Sequence, residues 1–177
     1  MILKETLALA AEFAVASELC RRGLYAQLTL GNKKRTDLLI HDDETNSFLR
    51  IEVKAKQGRV WPSCKGIYGE NVMLVFVDYT NKNERERPGF FVLTIEDWKL
   101  LVTEVAKQHP NDACVNDRNF LVFRQRLLKN GKHHEGMAVQ VAMIENCRER
   151  WDKIINAIRD GRYTASRQPL KKLVGIP

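Results

Sequence analysis

The heptapeptide Arg-Ile-Glu-Val-Lys-Ala-Lys, residues 50–56, alternates strictly between charged and apolar residues. A two-residue period is typical of a β-strand, in which successive side chains point to opposite faces of the sheet. Glu52 and Lys54 therefore become neighbours on the charged face of this strand. The segment predicts a central strand around which the rest of the fold is organised.

A helix and two strands are predicted before this segment. Leu3–Arg22 is dominated by Ala, Leu and Glu, which favour a helix. Tyr25–Leu30 and Thr36–His41 have the composition of short strands. Residues 42–47 are turn-forming, so Thr36–His41 and Phe48–Lys56 are expected to pair as an antiparallel hairpin.

After the hairpin, the pattern predicts an α/β (α+β) core that ends near residue 108. Gln57–Asn71 lacks a clear period, which indicates an irregular excursion or at most a short helix. Val72–Asp78 and Phe90–Leu93 are apolar and predict strands. Ile95–Gln108 predicts a helix, with Thr94 as its N-cap.

The remainder, residues 111–177, is predicted to be a C-terminal extension of the same single domain, residues 1–177, whose core spans about 3–108. Residues 120–141 mix short apolar pieces without a clear assignment. Glu145–Arg159 carries an apolar stripe at helical spacing and predicts a docked helix. The tail, Gly161–Pro177, is basic.

Two carboxylates and one lysine are expected to converge at the hairpin. Asp37 opens the strand before the turn, and antiparallel pairing brings it close to Glu52 and Lys54. Carboxylate oxygens suit Mg²⁺, which keeps several waters and takes few protein ligands. A neighbouring lysine can orient a water, offset developing negative charge or act as a base. The residues do not distinguish these roles of Lys54.

A simpler interpretation exists for each of these residues. Residues 50–56 also suit an amphipathic strand whose charged face is solvated. Glu12 shares a helix face with apolar residues and is predicted to face inward, where a carboxylate needs a partner; alternatively it reaches water from the helix edge. Glu18 is predicted to be a surface partner of Arg22.

The order of these motifs resembles the core of the PD-(D/E)xK, or restriction-endonuclease-like, superfamily, and in particular small bacterial members. The likeness covers roughly Leu7 to Leu93, and its motifs are Ala11–Gly23, Gly31-Asn32, Thr36–Ile40, Ile51–Lys54 and Val72–Asp78. Two departures are Thr36, where the motif has proline, and the compact segment 57–71, where many members have a longer helix.

This resemblance implies a fold and a set of roles. The fold is a mixed central sheet flanked by helices. Asp37 and Glu52 would hold a divalent metal, Mg²⁺ or Mn²⁺, Lys54 would handle the attacking water, and Glu12 would support the site as a fourth catalytic residue.

The charge balance favours a polyanionic partner. The chain has 29 basic and 22 acidic residues, a net charge of +7, and an isoelectric point near 9.3. The expected partner is nucleic acid, DNA rather than RNA. Basic side chains that flank the site are candidates for phosphate contacts, and one indole is a candidate for stacking on a base. A solvated surface and loop packing also explain these residues. The candidates are Lys33, Lys34, Arg35, Lys56, Arg59, Lys65 and Trp61.

Two classes of function follow. The first is a metal-dependent nuclease that hydrolyses phosphodiester bonds in DNA, and cutting both strands suggests a homodimer. The second is a catalytically silent nuclease-fold protein that binds nucleic acid or acts as a scaffold in a defence, repair or mobile-element system. Four widely spaced cysteines indicate free thiols rather than a zinc site. With Glu12 interrupting the apolar N-terminal stretch, a cytoplasmic protein with no membrane partner is expected.

Overall fold

The computed structural model describes residues 2–29, 36–131 and 133–160. Within these ranges the chain forms the following helices and strands, in order: α1 (Lys4–Cys20), β1 (Ala26–Leu28), β2 (Leu38–Asp42), β3 (Ser47–Lys56), β4 (Trp61–Cys64), β5 (Val72–Asp78), β6 (Gly89–Leu93), α2 (Ile95–Gln108), β7 (Ala113–Val115), β8 (Leu121–Leu127), β9 (His133–Glu135), β10 (Met137–Val139) and α3 (Asp152–Arg159). Two 3-10 turns, Val141–Met143 and Glu145–Cys147, precede α3.

A mixed five-stranded sheet forms the centre of the fold, with the strand order β1-β2-β3-β5-β6. β2 and β3 pair antiparallel as the predicted hairpin. β3 and β5 are parallel, with Glu52 aligned with Leu74 and Lys54 with Phe76. The predicted fold class, a mixed sheet flanked by helices, is confirmed. A smaller sheet pairs β4 with β10, and another joins β7, β8 and β9.

Both faces of the central sheet are covered. On one face Ile51 and Val53 pack in a cluster with residues of α1 and α3. On the other, Leu74 and Phe76 pack with α2, β4 and β10. The charged face of β3 is therefore largely covered, and it buries Glu52 and Lys56, which the simpler interpretation placed in water.

Most predicted elements of the core are confirmed, with shifts of a few residues at their ends. The helix predicted from Leu3 is α1, and the helix predicted from Ile95 is α2. Thr94 caps α2 through a reciprocal capping box with Asp97. Within the described ranges, no helix has both the length and the apolarity needed to cross a membrane. The division into one domain stays a prediction, and the tail after Asp160 lies outside the described residues.

Two predictions about secondary structure are wrong. The segment 57–71, predicted to be irregular or briefly helical, contains β4, which pairs with β10. The helix predicted over Glu145–Arg159 begins only at Asp152. Before it, Arg148 forms a β-bridge with Phe91, and Glu149, at φ +53°, donates its N–H to the Phe90 carbonyl. Pairing with β6 therefore prevents an earlier start.

Glu18 is a buried anchor rather than a surface residue. Its partner Arg22 was predicted correctly, at 2.5 Å, but Glu18 is only 6% exposed, so the surface position was wrong. The Arg87 guanidinium also bonds Glu18, and it forms a two-pronged pair with Glu149. The hydrogen bond from Arg87, joined by that from Arg22, lowers the pKa of Glu18 to about 2 against the effect of burial. The loop before β6 is thereby tied to the end of α1.

Candidate functional site

Asp37 is fixed directly beside β3. Its backbone N–H donates to the Ile51 carbonyl at 2.9 Å, and its Oδ2 accepts the Val53 N–H at 2.6 Å. These two partners flank Glu52 in the chain. Asp37 is thus held at the edge of β3 next to Glu52, as the hairpin prediction required.

Glu52 and Lys54 form an ion pair on the covered face of β3. Lys54 Nζ lies 2.7 Å from Glu52 Oε1, and the side chains are 38% and 8% exposed, respectively. The second carboxylate oxygen, Glu52 Oε2, is buried and has no hydrogen-bond partner among the described residues. An unpaired buried carboxylate oxygen is costly. A cation or a hydrogen-bond donor at Glu52 Oε2 would therefore stabilise the site.

The carboxylates of Asp37 and Glu12 both carry raised pKa values. For Asp37 burial is the main cause, opposed by the Val53 N–H and the Lys54 ammonium and increased by the charge of Glu52. For Glu12 burial again comes first, followed by repulsion from Asp37, with Lys54 opposing. Asp37 thus interacts electrostatically with the other three predicted catalytic residues, Glu12, Glu52 and Lys54. Together these carboxylates carry more negative charge than the single Lys54 ammonium neutralises.

A metal ion at this site would have few protein ligands. Three or more His, Cys, Asp or Glu side chains arranged to hold a metal do not occur in residues 2–29, 36–131 and 133–160. Mg²⁺ nevertheless needs only one or two carboxylates, with waters completing its octahedron. The unpartnered Glu52 Oε2 and the partly buried Asp37 fit that smaller requirement, whereas Glu12 is not assembled with them as a third ligand.

Two features of the site gave no signal in the sequence. The Val53 N–H anchors Asp37 because β2 begins only at Leu38, which leaves this donor of β3 to a side chain. Cys64, on β4, is 2% exposed, and burial raises the pKa of its thiol to about 12, with the charges of Lys54 and Glu52 also acting on it. Cys64 is therefore a buried, protonated thiol near the ion pair.

Lys56 and Trp61 do not occupy the binding positions predicted for them. The Lys56 ammonium bonds Asp78 at 2.7 Å, Thr80 and the Gly58 carbonyl, and lies over the Trp61 ring. Trp61 is 1% exposed, and its Nε1 donates to the Val77 carbonyl. Both side chains are almost completely buried, which disfavours the predicted contacts with a phosphate and a base.

The remaining candidate binding residues are placed differently. Arg59 is exposed, and within the described ranges no ion pair involves it. Lys65 is exposed and pairs with Glu135 at 3.1 Å. Lys33, Lys34 and Arg35 lie outside the described residues, so their binding roles stay predictions.

The buried Lys56–Asp78 pair leads to a stability prediction. Asp78→Ala should lower the free energy of unfolding by about 3 kcal/mol, because it leaves a buried ammonium without its carboxylate. Burial acts to raise the pKa of Asp78, but hydrogen bonds from Lys56 and Thr80 bring it below the usual 3.8. The contribution of the pair is therefore complete above that value and lost as the pH falls below it.

Urea unfolding at several pH values measures this effect. Asp43→Ala is the matched control, since the side chain of Asp43 is 95% exposed, and its change should stay within about 0.5 kcal/mol. Equal losses in the two variants would contradict a stabilising role for the Lys56–Asp78 pair.

Similarity to known proteins is found among solved structures and not among protein-family models or curated sequences. No protein-family model matches the chain, and no curated protein sequence matches it. Among solved structures the chain is similar to a bacterial homing endonuclease, I-Ssp6803I, with 15% sequence identity and a TM-score of 0.47. The alignment covers 90% of this chain and 98% of that one. A likeness this distant does not assign an activity, which has to come from the site.

Proposed function

We propose that this chain is a metal-dependent nuclease that hydrolyses phosphodiester bonds in DNA. The observation that carries the proposal is the placement of Asp37. Its carboxylate is held on β3 by the Val53 N–H, beside the Glu52–Lys54 ion pair, and the buried Glu52 keeps one oxygen with no partner among the described residues. Such an arrangement lowers stability unless a cation or another donor binds the carboxylates, and this supports the proposal.

Each residue has a distinct task in this proposal. Asp37 and Glu52 would hold the cation, which would offset charge on the scissile phosphate and lower the pKa of a bound water. Lys54 is 38% exposed and directed by Glu52, so its ammonium can orient the attacking water and stabilise negative charge that develops on the phosphate. Glu12 would contribute negative charge at the edge of the site without being a ligand.

The test is a titration of Mg²⁺ or Mn²⁺ into the purified chain, followed by incubation with supercoiled, linear and single-stranded DNA. Cleavage should require the metal and stop with EDTA. The metal should also raise the melting temperature in the absence of DNA, because it binds the folded state. A protein that neither cuts DNA nor gains stability from either metal would contradict the proposal.

The second candidate is a catalytically silent DNA-binding or scaffold protein of a defence, repair or mobile-element system. It is favoured by one observation, the lack of a third metal ligand among the described residues. DNA binding without metal uptake or cleavage would support it over the nuclease. The molecular mass of the same sample in solution tests the predicted homodimer.

A further inference from the structure

A groove lies next to Lys54, between the start of α1 and β4. Its volume is about 510 Å³, within the range of sites that hold small organic ligands, about 300–1,000 Å³. Leu7 and Ala8 of α1, the end of β3 and residues 60–64 line it. Gln57, which also lines the groove, accepts the Ile2 N–H and donates to the Ile2 carbonyl.

The groove combines an apolar interior with positive charge. Lys4, Lys54 and Lys56 contribute to its lining, and none of its described lining residues is acidic. Lys54 and Lys56 are paired with Glu52 and Asp78, whereas no ion pair involves Lys4 within the described ranges. The walls offer aliphatic surface, including Ala8, Val60 and Pro62. A ligand that suits both parts has an apolar body and an attached anionic group.

We infer that this groove receives the base of an unpaired nucleotide adjacent to the scissile phosphate. The inference rests on the proposed nuclease function and narrows its substrate to DNA with an unpaired nucleotide. A base has an apolar face that packs on such walls, and its phosphate carries the charge that Lys4 attracts. A base inside a duplex must first be unstacked at a cost of a few kcal/mol. DNA in which the nucleotide is already unpaired is therefore preferred.

The experiment compares three DNA duplexes by fluorescence anisotropy in EDTA, where no cleavage takes place. One is fully paired, one carries a single unpaired nucleotide, and in the third that nucleotide is abasic. The wild-type chain should bind the second about tenfold more tightly than the other two, the size of effect expected when part of the apolar surface of one base is removed from water. Equal binding of the unpaired and abasic duplexes would overturn the inference.

Two matched variants locate the effect. Ala8→Phe fills the groove and should abolish the preference for the unpaired base, whereas Ala10→Phe, an exposed position of the same helix outside the groove lining, should retain it. Melting temperatures establish that both variants fold. If Ala8→Phe keeps the preference, the base does not enter this groove.

A third variant separates the phosphate from the base. Lys4→Gln should weaken binding of all three duplexes by the same factor, because a phosphate contact carries no information about the base. A loss confined to the duplex with the unpaired base would contradict that division of roles. Metal-dependent cleavage of paired DNA that is indifferent to Ala8→Phe would leave the nuclease proposal standing and the groove inference refuted. Failure to bind or cut any DNA would refute both.

Discussion

Asp37→Asn should lower the rate of metal-dependent DNA cleavage by at least about 100-fold, the loss typical when one group that stabilises transition-state charge is removed. The substitution leaves the fold in place, since the amide oxygen of Asn can accept the Val53 N–H as Oδ2 does now. It removes only the negative charge. The effect on activity therefore separates from any effect on structure.

Stability provides the second half of this prediction. The Asp37 carboxylate is partly buried near Glu12 and Glu52, so its charge is unfavourable in the metal-free protein. Asp37→Asn should consequently melt at the same temperature as the wild type or higher when EDTA is present. With Mn²⁺ the order should reverse, because only the wild type is stabilised by the metal.

Cleavage rates and melting curves with and without Mn²⁺ measure both halves. Asp43→Asn is the control, since Asp43 is an exposed carboxylate at the turn of the same hairpin, and it should behave as the wild type does in both assays. If the Asp37→Asn variant cuts DNA at the wild-type rate, Asp37 has no role in cleavage.

Gly66→Ala should lower the free energy of unfolding by about 4 kcal/mol, or prevent folding altogether. A Cβ at Gly66 would lie 1.8 Å from Trp98 Cε2. Trp98 cannot move aside easily, because it is fully buried and its Nε1 donates to the Asn119 carbonyl at 2.8 Å. Gly66 also has φ +81°, which L side chains rarely adopt.

Two other glycines separate the sources of this loss. Gly23 has φ +80° but no atom within 4 Å of an added Cβ, so Gly23→Ala should cost only the backbone strain, about 1 kcal/mol. Gly58 has neither problem, and Gly58→Ala should be close to neutral. Urea unfolding of the three variants should give that order, and a Gly66 variant as stable as the Gly58 variant would contradict the tight packing of Trp98.

The centre of the fold was predictable because its signals are local. Val72–Asp78 is an uninterrupted apolar run, and residues 50–56 alternate, so each strand is indicated by its own residues. The turn between β2 and β3 then determines which residues face one another. This is why the neighbourhood of Asp37, Glu52 and Lys54 followed from the sequence.

The misassigned parts depend on contacts between distant segments. β4 contains Pro62 and pairs with β10, more than seventy residues later in the chain, so no pattern within residues 57–71 predicts it. β4 also covers the charged face of β3, and this contact buries Lys56 of β3 and Trp61 of β4. A two-residue period shows that one face is charged but not whether a second layer lies over it.

The hydrogen bond from Val53 to Asp37 provides a natural reporter. This amide proton is held by a side chain rather than by a strand partner, so its exchange with deuterated solvent depends on how often Asp37 swings away, independently of the opening of the whole sheet. The exchange rate and chemical shift of this amide proton would therefore report the position of the Asp37 carboxylate. A nuclear magnetic resonance titration with Mg²⁺ or Mn²⁺ could then detect a change at Asp37 before any DNA is added.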